Sequence, residues 1–524
     1  MNQNEYWKIL KPLIPRILGQ LDRDPDSPTS GSFDRNFWNY KIRDFSSAII
    51  QQGVLILDVI YNYESEDNPF YQAKHIKELV ENSVEYWTTI QLKNGSFNEY
   101  YPFEAGFPPT GFSLYAVSLL MDKQEYTFTP KLTKAIEKAA DWILKHPEEE
   151  ALNQEAAALS GICIAQSKSN LNIDEDSLNF RLDKLINAQS EEGWFNEYNG
   201  PDIGYLSVTV DCLSDVYLIT NDSRIEQVII KAIKFISKFV TNDGYSPVMI
   251  NSRNTDYITP YGTAVFANKL DEAKELLSKL FYQISSWDNQ LYKTDDRYLC
   301  HYLGQSFFRY LNVLPEIKGK SLETNKQTEY FKDCGILKYV YNENTLFVSL
   351  RKGGVINLLD KAGVYATDFG YRIRDNKNRV CVSHWQDPEY TVSYKTDSDV
   401  THIEVKGFLS VQKFLRPSPV KHIALRFLSK FFGNILIPFL KKQLIFQNKK
   451  SPYFFTRLIE INDDRIKITD DINGLSAEKV EKARHYSMRH VSSAGRFCRE
   501  ELIDEKKVFT AVDFPVSQQI IMKS

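Results

Sequence analysis

"QLKNGSFNEYYP" (residues 91–102) and "QSEEGWFNEYNG" (residues 189–200) are two copies of one loop. Each places FNEY six residues after its glutamine, and their glycines, Gly95 and Gly193, lie 98 residues apart. Related loops fill in the interval and extend it. "TNDGYSP" sets Gly244 51 residues after Gly193, and the break "KHPEEEALNQ" falls about midway between Gly95 and Gly193. "SSWDNQLY" follows with Asp288 another 44 residues on, and "SPTSGSFDRNFW" precedes with Gly31 64 residues before Gly95. Between these loops run helical patterns. In "KLTKAIEKAADWILKH", Leu132, Ile136, Ala139, Ala140 and Ile143 recur at helical spacing, and "SRIEQVIIKAIKFISKFV" behaves the same way. A unit of about 50 residues with two helices cannot bury its apolar faces alone, so such units must stack. Six of them predict a closed ring, an (α/α)6 toroid over residues 1–315, with an open helical solenoid as the alternative. In a ring, loops at one end line a common cleft.

The texture changes after Leu314. "EIKGKSLETNKQTE" reads as a linker over 316–330. Beyond it, "GILKYVYN", "NTLFVSLRKGG", "THIEVKGFLSVQKF", "YFFTRLIEI" and "DRIKITDDI" alternate apolar and polar residues between Asn, Asp and Gly. With no helices between most of them, they predict an antiparallel β-sandwich over 331–524, so the chain as a whole reads as α+β and multidomain. One segment departs from this pattern. "KHIALRFLSKFFGNILIPFLKKQL" (residues 421–444) predicts an inserted amphipathic helix at about 420–445. Phe427, Leu428, Phe431, Phe432, Ile435, Leu436, Phe439 and Leu440 lie on one face, and Arg426, Lys430 and Lys441 on the other. Gly433 and Pro438 are expected to bend or break it. It reads as a helix packed on the body of the protein, with membrane-surface contact as the sharper alternative.

At 524 residues the chain exceeds one ordinary core, and 43% apolar with 25% charged residues is a globular composition. The net charge of −4 supplies no basic face for nucleic acid. The six cysteines form no CxxC pair or zinc spacing, so neither a disulfide frame nor a metal clip is expected. "MNQNEYWKIL" lacks the apolar run of a signal peptide, so the expectation is a cytoplasmic protein, membrane-peripheral if the inserted helix docks.

Aromatic loops suit sugars, because Trp and Tyr faces stack on pyranose rings while their polar edges still hydrogen-bond. Tyr101, Trp194, Tyr198 and Tyr257 are such candidates. Phe97 and Phe195, duplicated in the two FNEY copies, read instead as wedges between hairpins. Glu99 and Glu197 read as capping or loop-binding groups, and Glu197 is also a substrate-binding candidate together with Gln154, Asp202 and Asn254. The polar residues without duplicates carry more information. Asn153 and Gln154 head a small-residue helix, where Asn153 has an N-cap alternative. Tyr205 follows a turn containing Gly200, Pro201 and Asp202. Arg253 and Asn254 crowd the fifth loop, and an arginine there suits a carboxylate unless it is paired with Asp256 or Asp202.

A helical toroid followed by an antiparallel sandwich resembles the polysaccharide lyases of the heparinase II/III and alginate lyase type. The resemblance in architecture covers nearly the whole chain. "NQ" at Asn153 and Gln154 is similar to the family's Asn-His pair, and "EEGWFNEYNGPDIGY" leading to Tyr205 is similar to its glycine-rich loop and tyrosine. The family's β-domain histidine sits in an H-x-H setting. This chain has none; His384, His485 and His490 are the available candidates, and "RHYSMRH" makes His485 the nominee. The resemblance implies a uronate-containing, acidic polysaccharide or oligosaccharide as substrate, β-elimination as reaction, and no metal or organic cofactor. The chemistry is coherent. Asn153 and Arg253 would neutralise the uronate carboxylate, which makes the C5 proton acidic, and Tyr205 would move protons at C5 and at the leaving oxygen. Three other classes compete. A toroidal glycoside hydrolase would use a carboxylate pair from Glu99, Glu197, Asp202 and Asp211. A non-catalytic glycan-binding or assembly protein would need no such pair. An isoprenoid cyclase would rely on the acidic run "KTDDRY".

Overall fold

The computed structural model describes residues 2–282, 290–316 and 327–522, apart from 361–362, 398–399, 415, 417, 442–448, 477, 489–501 and 503–506. The sixth loop at Asp288, His490, and the end of the amphipathic segment beyond Lys441 therefore lie outside the described residues.

Two sets of helices alternate along the first part of the chain. Gln3–Leu10, Lys74–Thr89, Lys131–Lys145, Glu175–Asn187, Ser223–Ser237 and Asp271–Leu280 are amphipathic. In Lys131–Lys145 the buried residues include Leu132, Ile136, Ala139, Ala140 and Ile143, the stripe its spacing predicts. The second set is Val54–Asn62, Phe107–Leu120, Leu152–Lys168, Ile203–Thr220, Tyr261–Val265 and Tyr302–Tyr310. These helices are buried on nearly every side, so they form an inner layer. Each packs on the next, and Tyr302–Tyr310 packs back on Val54–Asn62, so the succession closes. The seam is tied by Tyr6, whose hydroxyl donates to the carbonyl of Phe307 at 2.9 Å, and by an Arg16–Asp296 ion pair at 2.8 Å.

The repeated loop is the fastener between hairpins. Gly95 (φ 95°) and Gly193 (φ 105°) occupy the left-handed region, where a β-carbon would strike the carbonyl oxygens of Lys138 and Lys231 at 2.2 and 2.5 Å. The preceding glutamine completes the clamp. Gln91 Nε2 donates to the carbonyls of Gly95 and Ala135, and Gln189 Nε2 to those of Gly193 and Val228. Each loop is thereby bound to the outer helix of the next hairpin. Phe97 and Phe195 are fully buried beside it, as wedges.

From Gln327 onward the chain is strands. Five form one antiparallel sheet in sequence order, from Gln327–Phe331 to Gly363–Asp368. Nine form a second antiparallel sheet, centred on Val400–Gln412 paired with Lys450–Ile461. Leu337, Leu346, Val348 and Leu358 of the first sheet and Ile403, Val405, Ile459 and Ile468 of the second make up one shared core. Arg457 is buried beside it and paired with Asp368 and Asp470. Between those two central strands comes the inserted helix, Pro419–Lys441. It is kinked at Phe432 (φ −132°), the residue before Gly433, and continues through Pro438, so the expected bend falls beside Gly433 and the helix does not end at Pro438. Among its described side chains the apolar face does not pack on the body: Val420, Ile423, Phe427, Phe431 and Phe432 are exposed, while the side chains of 433–441, with Ile435, Leu436, Phe439 and Leu440, lie outside the described residues.

The strand part sits on the fourth and fifth loops of the helical part. Glu192 accepts from the backbone amides of Asp333 and Cys334, Gln386 donates to the carbonyl of Asn199, and Lys352 donates to Asn251.

Candidate functional site

All six inner helices begin at the same end, where the outer-to-inner loops lie. The third, fourth and fifth of these loops interlock. Tyr198 N–H donates to the carbonyl of Glu150 at 2.9 Å, and Ser252 N–H to that of Pro201 at 2.7 Å. A bridge pairs Ala151 with Glu197. Tyr198 (φ 57°), Asn199 (φ 74°) and Asn254 (φ 55°) are non-glycine residues held in the left-handed region, a local cost that the surrounding contacts must maintain.

The helix Leu152–Lys168 begins after Ala151, so Asn153 lies in its first turn and is not the N-cap. Glu197 supplies the cap from the neighbouring loop, its Oε1 accepting from Asn153 N–H at 2.7 Å. Asn153 Oδ1 is buried and has no hydrogen-bond partner. Gln154 Nε2 donates to the Tyr198 hydroxyl at 3.1 Å. Asp202 is buried at the start of Ile203–Thr220. It accepts from the backbone amides of Tyr205 at 3.2 Å and Arg253 at 3.1 Å, and from the Thr255 hydroxyl. Burial raises its carboxyl above the usual range.

Arg253 is only 7% exposed. Its guanidinium lies over the Tyr198 ring at 4.2 Å, Nε has no hydrogen-bond partner, and among the described residues no carboxylate comes within ion-pair distance. The alternative pairing with Asp202 or Asp256 is therefore corrected: Asp202 meets the Arg253 backbone, not its side chain. Burial lowers the arginine's proton affinity, while Tyr198, Tyr205, Asp202 and Glu197 act at longer range to raise it. A buried cation without a counter-ion is expensive, and a ligand carboxylate would relieve that cost. Tyr205 is partly exposed and packs edge-on to Tyr257 with ring centres 6.4 Å apart. Tyr257 is buried, its hydroxyl 2.6 Å from that of Tyr302. Asn254 Oδ1 accepts from Lys352.

The structure thus gathers Asn153, Gln154, Glu197, Tyr198, Asp202, Tyr205, Arg253, Asn254 and Tyr257 into one connected neighbourhood. Three candidates lie elsewhere. Trp194 donates to Glu192 at 3.0 Å, beside the strand part. Tyr101 is on the rim, 6.4 Å from His422 of the inserted helix. His485 opens a short 3-10 turn and lies edge-on to Phe369 at 6.2 Å. The acidic run "KTDDRY" is structural: Asp295 caps a short helix and Asp296 binds Arg16.

Sequence reasoning missed Lys352, whose side chain is fully buried and donates to both the Asn251 carbonyl and Asn254 Oδ1. Burial pushes its ammonium down to about 7, with Asp202 opposing and Arg253 reinforcing. It lies about 100 residues from its partners, in the short 3-10 turn Leu350–Lys352 that follows a strand, and no local pattern announces it. A second missed group is His301, buried at the head of Tyr302–Tyr310, where Nδ1 accepts from Tyr302 N–H at 2.7 Å. Burial, and Arg297 nearby, hold its imidazole neutral. Glu99, on the same rim, pairs with Arg297 at 2.7 Å. Burial raises the Glu99 carboxyl to about 7 although Arg297 opposes it.

No protein-family model matches the chain, and no curated protein matches it. Solved structures do. The chain is similar to a chondroitin AC lyase of Streptomyces coelicolor A3 in complex with chondroitin sulphate, with a TM-score of 0.53 and 10% identity. That alignment covers 92% of this chain and 67% of the lyase. It also aligns with a Paenibacillus xanthan lyase over 92% of this chain and 46% of that one, at 11% identity and a TM-score of 0.47. A β-L-arabinofuranosidase of Geobacillus stearothermophilus T6 aligns over 99% and 95%, at 9% identity and a TM-score of 0.38. At these identities the comparisons speak to fold. Of these, only the chondroitin AC lyase alignment reaches a TM-score above 0.5, and at 10% identity it shows a shared fold.

Proposed function

We propose that the chain is a polysaccharide or oligosaccharide lyase that cleaves uronate-containing glycans by β-elimination, in a cleft at the loop end of an (α/α)6 toroid capped by a β-sandwich. The observation that carries the reading is Arg253: a buried guanidinium with no carboxylate partner among the described residues, within electrostatic reach of Tyr205 and in the same loop cluster as the unpartnered Asn153 Oδ1. A uronate carboxylate supplies the missing charge. Held by Arg253, it withdraws electron density from C5 and stabilises the enolate-like state as the proton leaves. Tyr205 is the residue placed to take that proton, because a nearby cation favours a phenolate, and to return one to the departing glycosidic oxygen. Glu197 and Asp202 are positioning residues, which fix the helix starts that carry Asn153 and Tyr205.

The hydrolase reading has its own observation. Glu99, buried and raised to about 7, has the protonation of a general acid near neutrality. Two measurements separate the readings. Digestion of acidic polysaccharides in 18O-labelled water leaves lyase products unlabelled and unsaturated, whereas hydrolase products carry the label. Tyr205→Phe should lower kcat at least 100-fold with folding intact, and Arg253→Ala by about 100- to 1,000-fold. Labelled saturated products, or full activity in Tyr205→Phe with loss in Glu99→Gln, would replace the lyase reading with the hydrolase one.

A further inference from the structure

Over Pro419–Phe432 the inserted helix is turned inside out. Val420, Ile423, Phe427 and Phe431 recur at helical spacing and form one stripe, and that stripe faces solvent, at 75, 68, 65 and 60% exposure. On the opposite side the inward-facing positions are Leu425, partly buried, and Ser429, a buried serine. Soluble helices do the reverse, and a contiguous exposed apolar stripe marks an interaction site. The stripe is ordered by its own contacts: Phe427 and Phe431 pack at 5.2 Å, and Lys430 lies 5.9 Å over Phe431.

Charge identifies the partner. From Lys413 to Lys450 the sequence carries nine Lys and Arg and no Asp or Glu, within a chain of net charge −4. Lys421, Arg426 and Lys430 flank the apolar stripe and are exposed. A second copy of this chain would bring the same positive segment against itself. A soluble acidic glycan would meet the charges but gain nothing from Val420, Ile423, Phe427 and Phe431. An anionic lipid surface satisfies both: headgroups meet the cations, and the aromatic stripe enters the headgroup–acyl boundary. We propose that helix Pro419–Lys441 docks the protein on anionic lipid bilayers, its Val420–Phe431 stripe buried in the interface.

The placement gives the docking a direction. Arg426 holds Asp44 of the first loop through two hydrogen bonds of 2.5 and 2.6 Å, and His422 meets Tyr101 of the second. The strand part rests on the fourth and fifth loops. Its helix therefore reaches the opposite rim, and a docked chain holds the loop end of the helical part beside the bilayer.

The test is flotation of the full chain with phosphatidylcholine vesicles, with and without phosphatidylglycerol. Binding is expected only with phosphatidylglycerol. It should weaken at least tenfold when salt rises from about 0.1 M to about 1 M, which shortens the screening length from about 10 to about 3 Å. Phe427→Asp/Phe431→Asp should abolish it, and Lys421→Glu/Lys430→Glu should reduce it several-fold. These side chains are exposed, so unchanged circular-dichroism melting is the folding control. Failure to float with phosphatidylglycerol, or equal flotation of the Phe427→Asp/Phe431→Asp variant, overturns the proposal. So does a dimer that Phe427→Asp dissociates, which would assign the stripe to a second copy. Charge-dependent retention on an acidic polysaccharide without vesicle binding would assign it to glycan. Vesicle binding is read without turnover, so it stands or falls separately from the lyase reading.

Discussion

Replacing Lys352 by methionine exchanges a buried ammonium for an apolar chain of similar length. Two opposed terms decide the outcome. Methionine leaves the Asn251 carbonyl and Asn254 Oδ1 without the donor that meets them, at about 1–3 kcal/mol for each buried acceptor. It also removes the cost of carrying a charge inside the protein. Displacement of the ammonium from its ordinary 10.5 to about 7 corresponds to roughly 5 kcal/mol of unfavourable charging. The sign follows from proton counting. Between about pH 7 and 10.5 the unfolded chain keeps this proton and the folded chain has released it, so the wild type gains stability as pH rises through that window. Below about 7 both states hold the proton, and the full cost is present. The Met variant should therefore come close to the wild type near pH 7, and fall behind it by an additional 2–3 kcal/mol or so at about pH 9.5. Urea titrations of both chains across that range measure the difference. Hydrogen exchange of residues 251–256 should rise in the variant, because Asn254 loses what holds it in the left-handed region. Parallel pH profiles for the two chains, with unchanged exchange in that loop, would refute the reasoning. Arg253 adjoins Asn254, so under the proposed function the variant should lose kcat more than it gains in KM.

Other expectations follow from single contacts. Gly193→Ala forces a β-carbon onto the Lys231 carbonyl at a φ of 105° and should cost about 3 kcal/mol, with Gly95→Ala showing a similar loss by urea unfolding. Arg457→Met leaves the buried carboxylates of Asp368 and Asp470 with Lys482 in place of two cations and should destabilise the chain by about 3–5 kcal/mol. Against desolvation, Arg457 and Lys482 hold Asp368 well below the usual carboxylate range, which contributes stability above its ordinary value. That contribution fades as acid protonates the group, so the acid limb of the stability profile should flatten in Arg457→Met.

The helical part was legible because its signals are local and repeated. Helical spacing in 131–145 needs only one turn of helix to be read, and the two FNEY copies announce a shared docking rule. The inserted helix was legible in position but not in pose. Its heptad-like spacing tells which side chains share a face, and nothing in it tells whether that face meets protein or solvent. Lys352 was invisible for the same reason: its partners lie about 100 residues away, across the contact between the two parts. The N-cap alternative for Asn153 could not be settled from sequence, because a capping carboxylate from another hairpin, Glu197, cannot be seen from the helix it caps.

The two glutamates of the FNEY copies show how a repeat becomes a site. Glu197 turns to the neighbouring helix start and accepts Asn153 N–H at 2.7 Å. Glu99 occupies the equivalent place, but the helix beside it begins after Gly106, and Glu104 takes over the loop amides of Glu99, Tyr100 and Tyr101. Relieved of that duty, Glu99 meets Arg297 instead and is held near a pKa of 7. The glycine, the glutamine and the buried phenylalanine keep the same roles in both copies because the docking of hairpin on hairpin is the same at both places. The polar residues diverge because each faces a different neighbour around the rim. Chemistry in such a fold is therefore found where the repeats disagree, and Arg253, which has no counterpart in the FNEY copies, is the clearest such disagreement.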